Sequence, residues 1–233
     1  MRASTPGGQR CCWQANPGRR RSGRPGRNCA KLTGVPYDRD VQAFNDRAAS
    51  YEAGRIGQLH RDFADRAVRI ALAVAPAPAR VLDVGSGTGY ALRRLAEALP
   101  AAQELTGVDA APDMVRVARE GSEDRRVRFI QGTAEDLPLP DASVDLVVST
   151  TSFDHWQNQG AGLAECARVL APGGHLVLSD LFSLLLGPTL VGARRDKART
   201  KGRANRLIAA AGLRDPRWQR LAGPIVQTVT ATR

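Results

Sequence analysis

The sequence predicts an α/β fold in which a mostly parallel, doubly wound sheet is closed by an antiparallel strand and preceded by N-terminal helices. Three observations lead there. From residue 81 onward, short apolar runs alternate with helical stretches, the pattern of parallel strands joined by right-handed crossovers. A glycine ribbon, Gly85-Ser86-Gly87-Thr88-Gly89, follows the first of these runs directly. The last two apolar runs, 218–221 and 226–231, have no helix between them, which reads as a closing hairpin.

Residues 1–36 are rich in Gly, Pro, Arg and Ser, without apolar periodicity, and are expected to be a disordered basic tail ahead of one domain at 37–233. Within 37–76, Phe63, Ala67, Ile70, Ala71 and Val74 fall on one helical stripe, ended by Pro76 and Pro78, with a break expected near Gly54 and Gly57. Residues 80–180 are the expected ligand-binding core. There 81–84 is a buried-type strand, followed by the glycine turn and a helix over 91–99 that stops at Pro100. Residues 105–108 form a second strand ending at Asp109, and Pro112 opens a helix at a first-turn position where its missing N–H costs nothing. Strands follow at 127–131, 144–149 and 175–179, with 163–170 on a helix before the last of them. A helix at 203–211 and the hairpin complete seven strands, with 181–233 expected on the ligand's far side as a lid and closing strands.

At 233 residues and 42% hydrophobic, the chain suffices for one well-cored domain. Its longest apolar run, 184–191, is interrupted by Gly187 and Pro188 and falls short of a membrane span of roughly 20 residues. The net charge of +11 is uneven: residues 1–37 hold eight basic and no acidic side chains, 38–193 hold 15 and 21, and 194–233 hold 11 and two. Basicity therefore sits at the ends, where it motivates a nucleic-acid-binding reading, yet few aromatics interleave with Arg194, Arg195, Lys197, Arg199, Lys201, Arg203 and Arg206, and no RNA-binding module is recognisable. Cys11, Cys12, Cys29 and Cys166 make no paired metal-binding spacing, which fits a reducing cytoplasm and predicts no metal.

A strand that ends in a glycine turn and opens a helix presents unpaired N–H groups at a positive helix end, with no Cβ in the way of a ligand. The spacing here is G-x-G-x-G; a dinucleotide fingerprint would need glycine at position 90, where Tyr90 stands, and no Gly-Lys-Ser/Thr makes a P-loop. Asp109 ends the next strand about 20 residues on, where an acid accepts ribose hydroxyls. Asp83, within an apolar strand, either orders the turn or meets a cation. A ligand with a ribose and a positive charge but no phosphates satisfies both acids.

At this point VLDVGSGTGY, the acid of LTGVDAAPDMV, FIQGTAEDLPLPDASVDLVVST and ECARVLAPGGHLVLSD together resemble class I S-adenosylmethionine-dependent methyltransferases, in the branch similar to small-molecule and quinone C-methyltransferases. The likeness covers 44–233 and implies a Rossmann-like seven-stranded sheet with S-adenosyl-L-methionine as cofactor. It further implies that Gly85, Ser86, Gly87 and Gly89 wrap the methionine part, that Asp83 orders this loop or meets the amino group, and that Asp109 grips the ribose. Ala110, Met114, Ala134 and Glu135 are implied near the adenine, Thr150 on the cofactor side of the fourth strand, and Tyr51 as an aromatic closing over the cofactor. The sequence departs from the family at Thr133, where an acid is usual, which puts the adenine amine contact in doubt.

Methyl transfer asks the protein for alignment, exclusion of water and, where the nucleophile bears a proton, a base. The loop after the fourth strand reads STTSFDHW, without the motifs of amide-nitrogen or pyrimidine chemistry. His155 is the candidate catalytic base because an imidazole titrates near neutrality; its alternative is to cap the loop beside Trp156. His60, Trp156, Asp180 and Phe182 are candidate acceptor-binding residues, Asp180 with the alternative of capping the segment after the fifth strand. The run 181–191 favours an apolar or aromatic small acceptor, and could equally serve as a buried helix or a homodimer contact. The rival functions are a nucleic-acid-modifying or -binding protein and a non-catalytic cofactor-binding relative.

Overall fold

The computed structural model describes residues 39–182 and 197–233. The expected basic tail, Arg194, Arg195 and most of the apolar run 181–191 lie outside the described residues. Seven strands form one sheet: β1 (Arg80–Val84), β2 (Glu104–Asp109), β3 (Val127–Gln131), β4 (Val144–Thr150), β5 (Leu170–Leu181), β6 (Arg214–Ala222) and β7 (Val226–Thr232). Their order is β3-β2-β1-β4-β5-β7-β6. β1 to β5 pair in parallel, while β7 pairs antiparallel with both β5 and β6. The helices are α1 (Arg39–Asn45), α2 (Gly54–Val74), α3 (Tyr90–Ala98), α4 (Pro112–Glu120), α5 (Gln159–Val169) and α6 (Lys201–Ala210). Short 3-10 turns occupy Ala48–Ser50 and Phe153–His155.

The strands alternate at period two between two cores. Val81, Leu105, Leu146, Val148 and Val177 meet Val68 and Ala71 of α2, Leu92 and Leu95 of α3, and Val115 and Ala118 of α4. Leu82, Val84, Val147, Leu176 and Leu178 point the other way, to Leu163 and Cys166 of α5 and Ala204 and Ile208 of α6. Fully buried leucines of this kind contribute about 2 to 3 kcal/mol each, so the near-continuous apolar runs in the central strands are what a sheet covered on both faces requires. Caps set the helix starts: Asn158 Oδ1 accepts from Ala161 N at 3.0 Å before α5, and Thr200 Oγ1 accepts from Arg203 N before α6.

Two boundaries differ from the sequence reading. β5 begins at Leu170 rather than at residue 175, because Leu170 already pairs with Val144 and the Pro172-Gly173-Gly174 turn bulges out before His175 resumes opposite Leu146. The expected helix break near Gly54 and Gly57 falls ahead of both, and α2 runs through Gly57 without interruption. Gly57 is needed for close approach instead: a Cβ there would stand 2.2 Å from the Glu52 carbonyl carbon. Gly57→Ala is therefore expected to cost about 1 to 3 kcal/mol by overpacking, measured as a lowered urea midpoint at unchanged slope.

Candidate active site

The glycine turn sits where β1, β2 and β4 end together. Gly85 N and Ser86 N donate to Val108 O at 2.8 and 3.1 Å, and Gly87 N donates to Asp109 Oδ2 at 2.8 Å. Asp109 Oδ1 accepts from Ala111 N at 2.9 Å, so this one carboxylate ties the turn to β2 and to the start of α4. Gly85, Gly87 and Gly89 all adopt positive φ. At Gly85 the backbone also leaves no room, since a Cβ would lie 2.3 Å from Ser152 Oγ. Ser152 Oγ in turn donates to Val84 O at 2.9 Å and lies 2.8 Å from Ser149 Oγ, bracing the end of β1 from the loop after β4.

An open cleft lies over this turn, lined by Asp83, Gly85, Ser86, Gly87 and Thr88, by Thr150 and Thr151 of the β4 loop, and by Tyr51, Glu52, Gly57, His60 and Arg61. Asp83 is 2% exposed, and burial with the like charge of Asp109 pushes its carboxyl up to about 7. Asp109 is likewise raised by burial, against the lowering pull of its two backbone donors and of His155. Ser86 Oγ is buried with no hydrogen-bond partner. A buried and a half-buried acid, an orphaned hydroxyl and a glycine backbone free of Cβ atoms fit a cationic, hydroxyl-bearing ligand such as S-adenosylmethionine.

Thus the cleft brings together Tyr51, His60, Asp83, Gly85, Ser86, Gly87 and Thr150 among the sequence candidates. Asp109 stands behind the turn, and Gly89 caps α3 with its missing Cβ facing the Phe129 ring. Met114 is buried with Ala48 and Ala111 under the 3-10 turn, and Ala110 follows Asp109 at half exposure. Ala134 is buried in the α5-side core, and Glu135 accepts from Asn158 N. His155 lies off the cleft lining: its Nδ1 is 2.9 Å from Asp40 Oδ2, and its ring stands edge-on to Phe44 at 4.9 Å. Trp156 and Phe182 are 6% and 1% exposed, packed on Phe153. Asp180 accepts from Asp154 N and Leu181 N at 3.1 and 2.6 Å, an anchor for the loop's backbone.

Glu52, Arg61 and Thr151 are among the lining residues that the sequence reading did not single out. Glu52 Oε1 accepts from Thr88 Oγ1 at 2.5 Å and from Arg93 Nη2 at 3.0 Å, while Arg61 donates to its carbonyl. Thr151 holds φ +55°, a costly conformation for a β-branched residue. No spacing rule announces either Glu52 or Thr151, because their partners come from across the fold; Tyr51 and Glu52 share only their adjacency in the segment AASYE.

Residues 82–178, which carry all of this apart from the covering segment, match the family described as Methyltransferase domain. Over this stretch the chain is similar to methyltransferase domains. Over 142 residues, 60% of this chain and 58% of the relative, it is 42% identical to a demethylmenaquinone methyltransferase of Deinococcus radiodurans. Over 140 residues, 59% of this chain and 49% of the relative, it is 35% identical to a malonyl-[acyl-carrier protein] O-methyltransferase of Methylococcus capsulatus. The chain thus spans about half to three fifths of the length of these curated relatives. The solved 1,6-didemethyltoxoflavin-N1-methyltransferase of Burkholderia thailandensis, with bound 1,6-didemethyltoxoflavin and S-adenosylhomocysteine, shares the fold at TM-score 0.63 and 23% identity over 88% of this chain and 92% of its own.

The pair of acids behind the glycine turn makes the stability of the fold depend on pH. A folded-state pKa of about 7 against an ordinary 3.8 means that the stability contributed by protonated Asp83 is fully present below pH 4 and is lost as pH rises toward 7. Between pH 4 and pH 8 the unfolding free energy of the wild type is expected to fall, relative to Asp83→Asn, by up to about 4 kcal/mol. Urea titrations of both proteins across that window measure it, and parallel pH dependences would refute it.

Proposed function

We propose that the protein transfers the methyl group of S-adenosylmethionine to a small, apolar or aromatic acceptor. The observation that carries this reading is the pair of acids, Asp83 buried and Asp109 half-buried, at a glycine turn without a phosphate-binding lysine. In it, Asp109 accepts ribose hydroxyls through the lone pairs left beyond its two backbone donors, Asp83 meets the cationic amino end, and Ser86 Oγ gains its missing partner. When bound, S-adenosylmethionine supplies an electrophilic methyl group on a positively charged sulfur. The chain's own work is to hold the acceptor in line and to keep water out, and Tyr51, His60, Thr150 and Thr151 form the wall of the cleft available for that.

The names of the relatives cover a quinone and an acyl thioester, so they support small-molecule methylation without choosing between such acceptors. The nucleic-acid alternative has less support, because much of the described basic end is already engaged. Arg199 forms a bidentate ion pair with Asp154, Lys197 donates to Trp156 O, and Lys201 lies over the Trp218 ring.

Calorimetry with S-adenosylhomocysteine and labelled methyl transfer to a panel of quinols, phenols and acyl-carrier-protein thioesters test the reading. Binding is expected to weaken roughly ten- to a hundred-fold in Asp109→Ala, the loss for hydrogen bonds to a charged group. Failure of the wild type to bind the cofactor product, or unaltered binding in Asp109→Ala, overturns it.

A further inference from the structure

The cleft holds one pair of side chains whose mutual contact goes beyond the covering role that the family resemblance implies for Tyr51. Tyr51 Oη lies 2.7 Å from His60 Nδ1, their rings meet edge-to-face at 5.1 Å, and both line the cleft beside Asp83, Gly85, Thr150 and Thr151. Tyr51 sits just beyond the 3-10 turn and His60 two turns into α2, so the chain reversal at Glu52–Ala53 folds one onto the other. We infer that Tyr51 and His60 act together as the proton acceptor of the methyl transfer, which takes the acceptor to be a phenol or enol. The inference rests on the methyltransferase reading given above.

The other candidates are spent. The chain has three histidines. His155 is clasped by Asp40 off the cleft lining, and His175 starts the regular part of β5, at the opposite edge of the sheet from the glycine turn. Among the cleft acids, Glu52 is taken by Thr88 and Arg93, and Asp83 lies deep beside Asp109 where a ligand cation belongs. Tyr90 Oη already reaches Asp65, and Arg61 is engaged with the Glu52 carbonyl.

The protonation states favour the same direction of transfer. Burial pushes the Tyr51 phenol up to about 12, with Arg47 opposing and Asp109 raising it, so the hydroxyl keeps its proton; in the inferred dyad it is the donor to Nδ1. Burial and Arg47 hold His60 below the ordinary 6.5, so the imidazole is neutral at pH 7 and free to take a proton. The charged groups facing the pair are Arg47 from the segment before the 3-10 turn, Glu52 and Arg61 from the start of α2 and the residues ahead of it, Asp83 from β1 and Asp109 from β2. In the step, the acceptor's O–H bond breaks and its proton goes to Tyr51 Oη while Tyr51 passes its own proton to His60 Nδ1. The acceptor oxygen bonds to the methyl carbon, and the carbon–sulfur electron pair returns to sulfur. The proton leaves the resulting imidazolium to solvent after the product departs.

The test uses Tyr51→Phe, His60→Gln and the double variant in the full chain, with 1,4-naphthohydroquinone and catechol as acceptor probes. Both substitutions keep bulk, so S-adenosylhomocysteine affinity by calorimetry is expected to stay within about three-fold of wild type while single-turnover rates fall by about a hundred-fold or more. The double variant should be no slower than the slower single one, as for two groups acting as a unit. In the wild type, kcat/KM should rise through a midpoint below 6.5, and NMR titration of the His60 ring should give the same midpoint and shift in Tyr51→Phe. Full turnover in either variant with cofactor binding intact, additive losses, or a wild-type His60 midpoint at or above 6.5 each overturn the dyad and leave the methyltransferase reading standing. No transfer to either probe or to the wider panel overturns both.

Discussion

The hydrogen bonds from Gly87 N and Ala111 N to the Asp109 carboxylate are the contact on which the site depends. A glycine turn has little conformational preference of its own, and here it acquires one shape because the strand beside it ends in an acid. The parallel register delivers that acid without further help: Val84 pairs with Val108, so the turn after β1 and the last residue of β2 emerge side by side. Two charge-assisted bonds in a partly dry environment hold the turn ready before any ligand arrives. The cost is a second acid, Asp83, buried next to the first, and the resulting repulsion makes the empty site electrostatically incomplete. A cation in the cleft completes it, which turns an expense of the fold into selectivity for the ligand.

The cover over the cleft is fastened differently. Residues 40–53 reach the core through Asp40 to His155, Asn45 Oδ1 to Asp113 N, and Glu52 to Thr88 and Arg93, with Ala48 packed against Ala111 and Met114. Each partly exposed polar fastening is worth about 1 kcal/mol or less, far below the apolar burial that holds α2 and α3 on the sheet. The cover is therefore held more weakly than α2 and α3, as a ligand's route of access should be. Gly57 matters to it because the Glu52 backbone turns back tightly over the first turn of α2.

Much of this was legible in the sequence, and the legible part has a physical pattern. Strands and helices of the core were readable because apolar period, glycine and proline are local signals, and the chain order of the parallel strands follows from them. The glycine turn and Asp109 were readable because their relation is set by register, at fixed separation along the chain. What failed to show was everything fixed across the fold. The start of β5 at Leu170 depends on a partner, Val144, and Thr151's left-handed backbone depends on the loop it closes. Trp156, Phe182 and Asp180 carry the chemistry expected of an acceptor pocket, yet their aromatic faces and carboxylate oxygens are taken up by Phe153, Trp218 and two backbone amides.

The histidines show the limit most plainly. Position after β4 favours His155, since that loop lies at the carboxyl edge of the sheet where ligands of such folds bind. Its imidazole nevertheless meets Asp40 and Phe44, and so joins the cover to the β4 loop. His60, on a helix with no motif around it, is carried into the cleft because α2 must lay Ala64, Ala67, Val68 and Ala71 on the sheet, and its first turns then overhang the strand ends. An imidazole's chemistry is the same at both places; what differs is which neighbour its nitrogen meets, a carboxylate that clasps it or a phenol that can hand it a proton. That difference is decided by packing, and packing is where a chain with one legible half of its site hides the other.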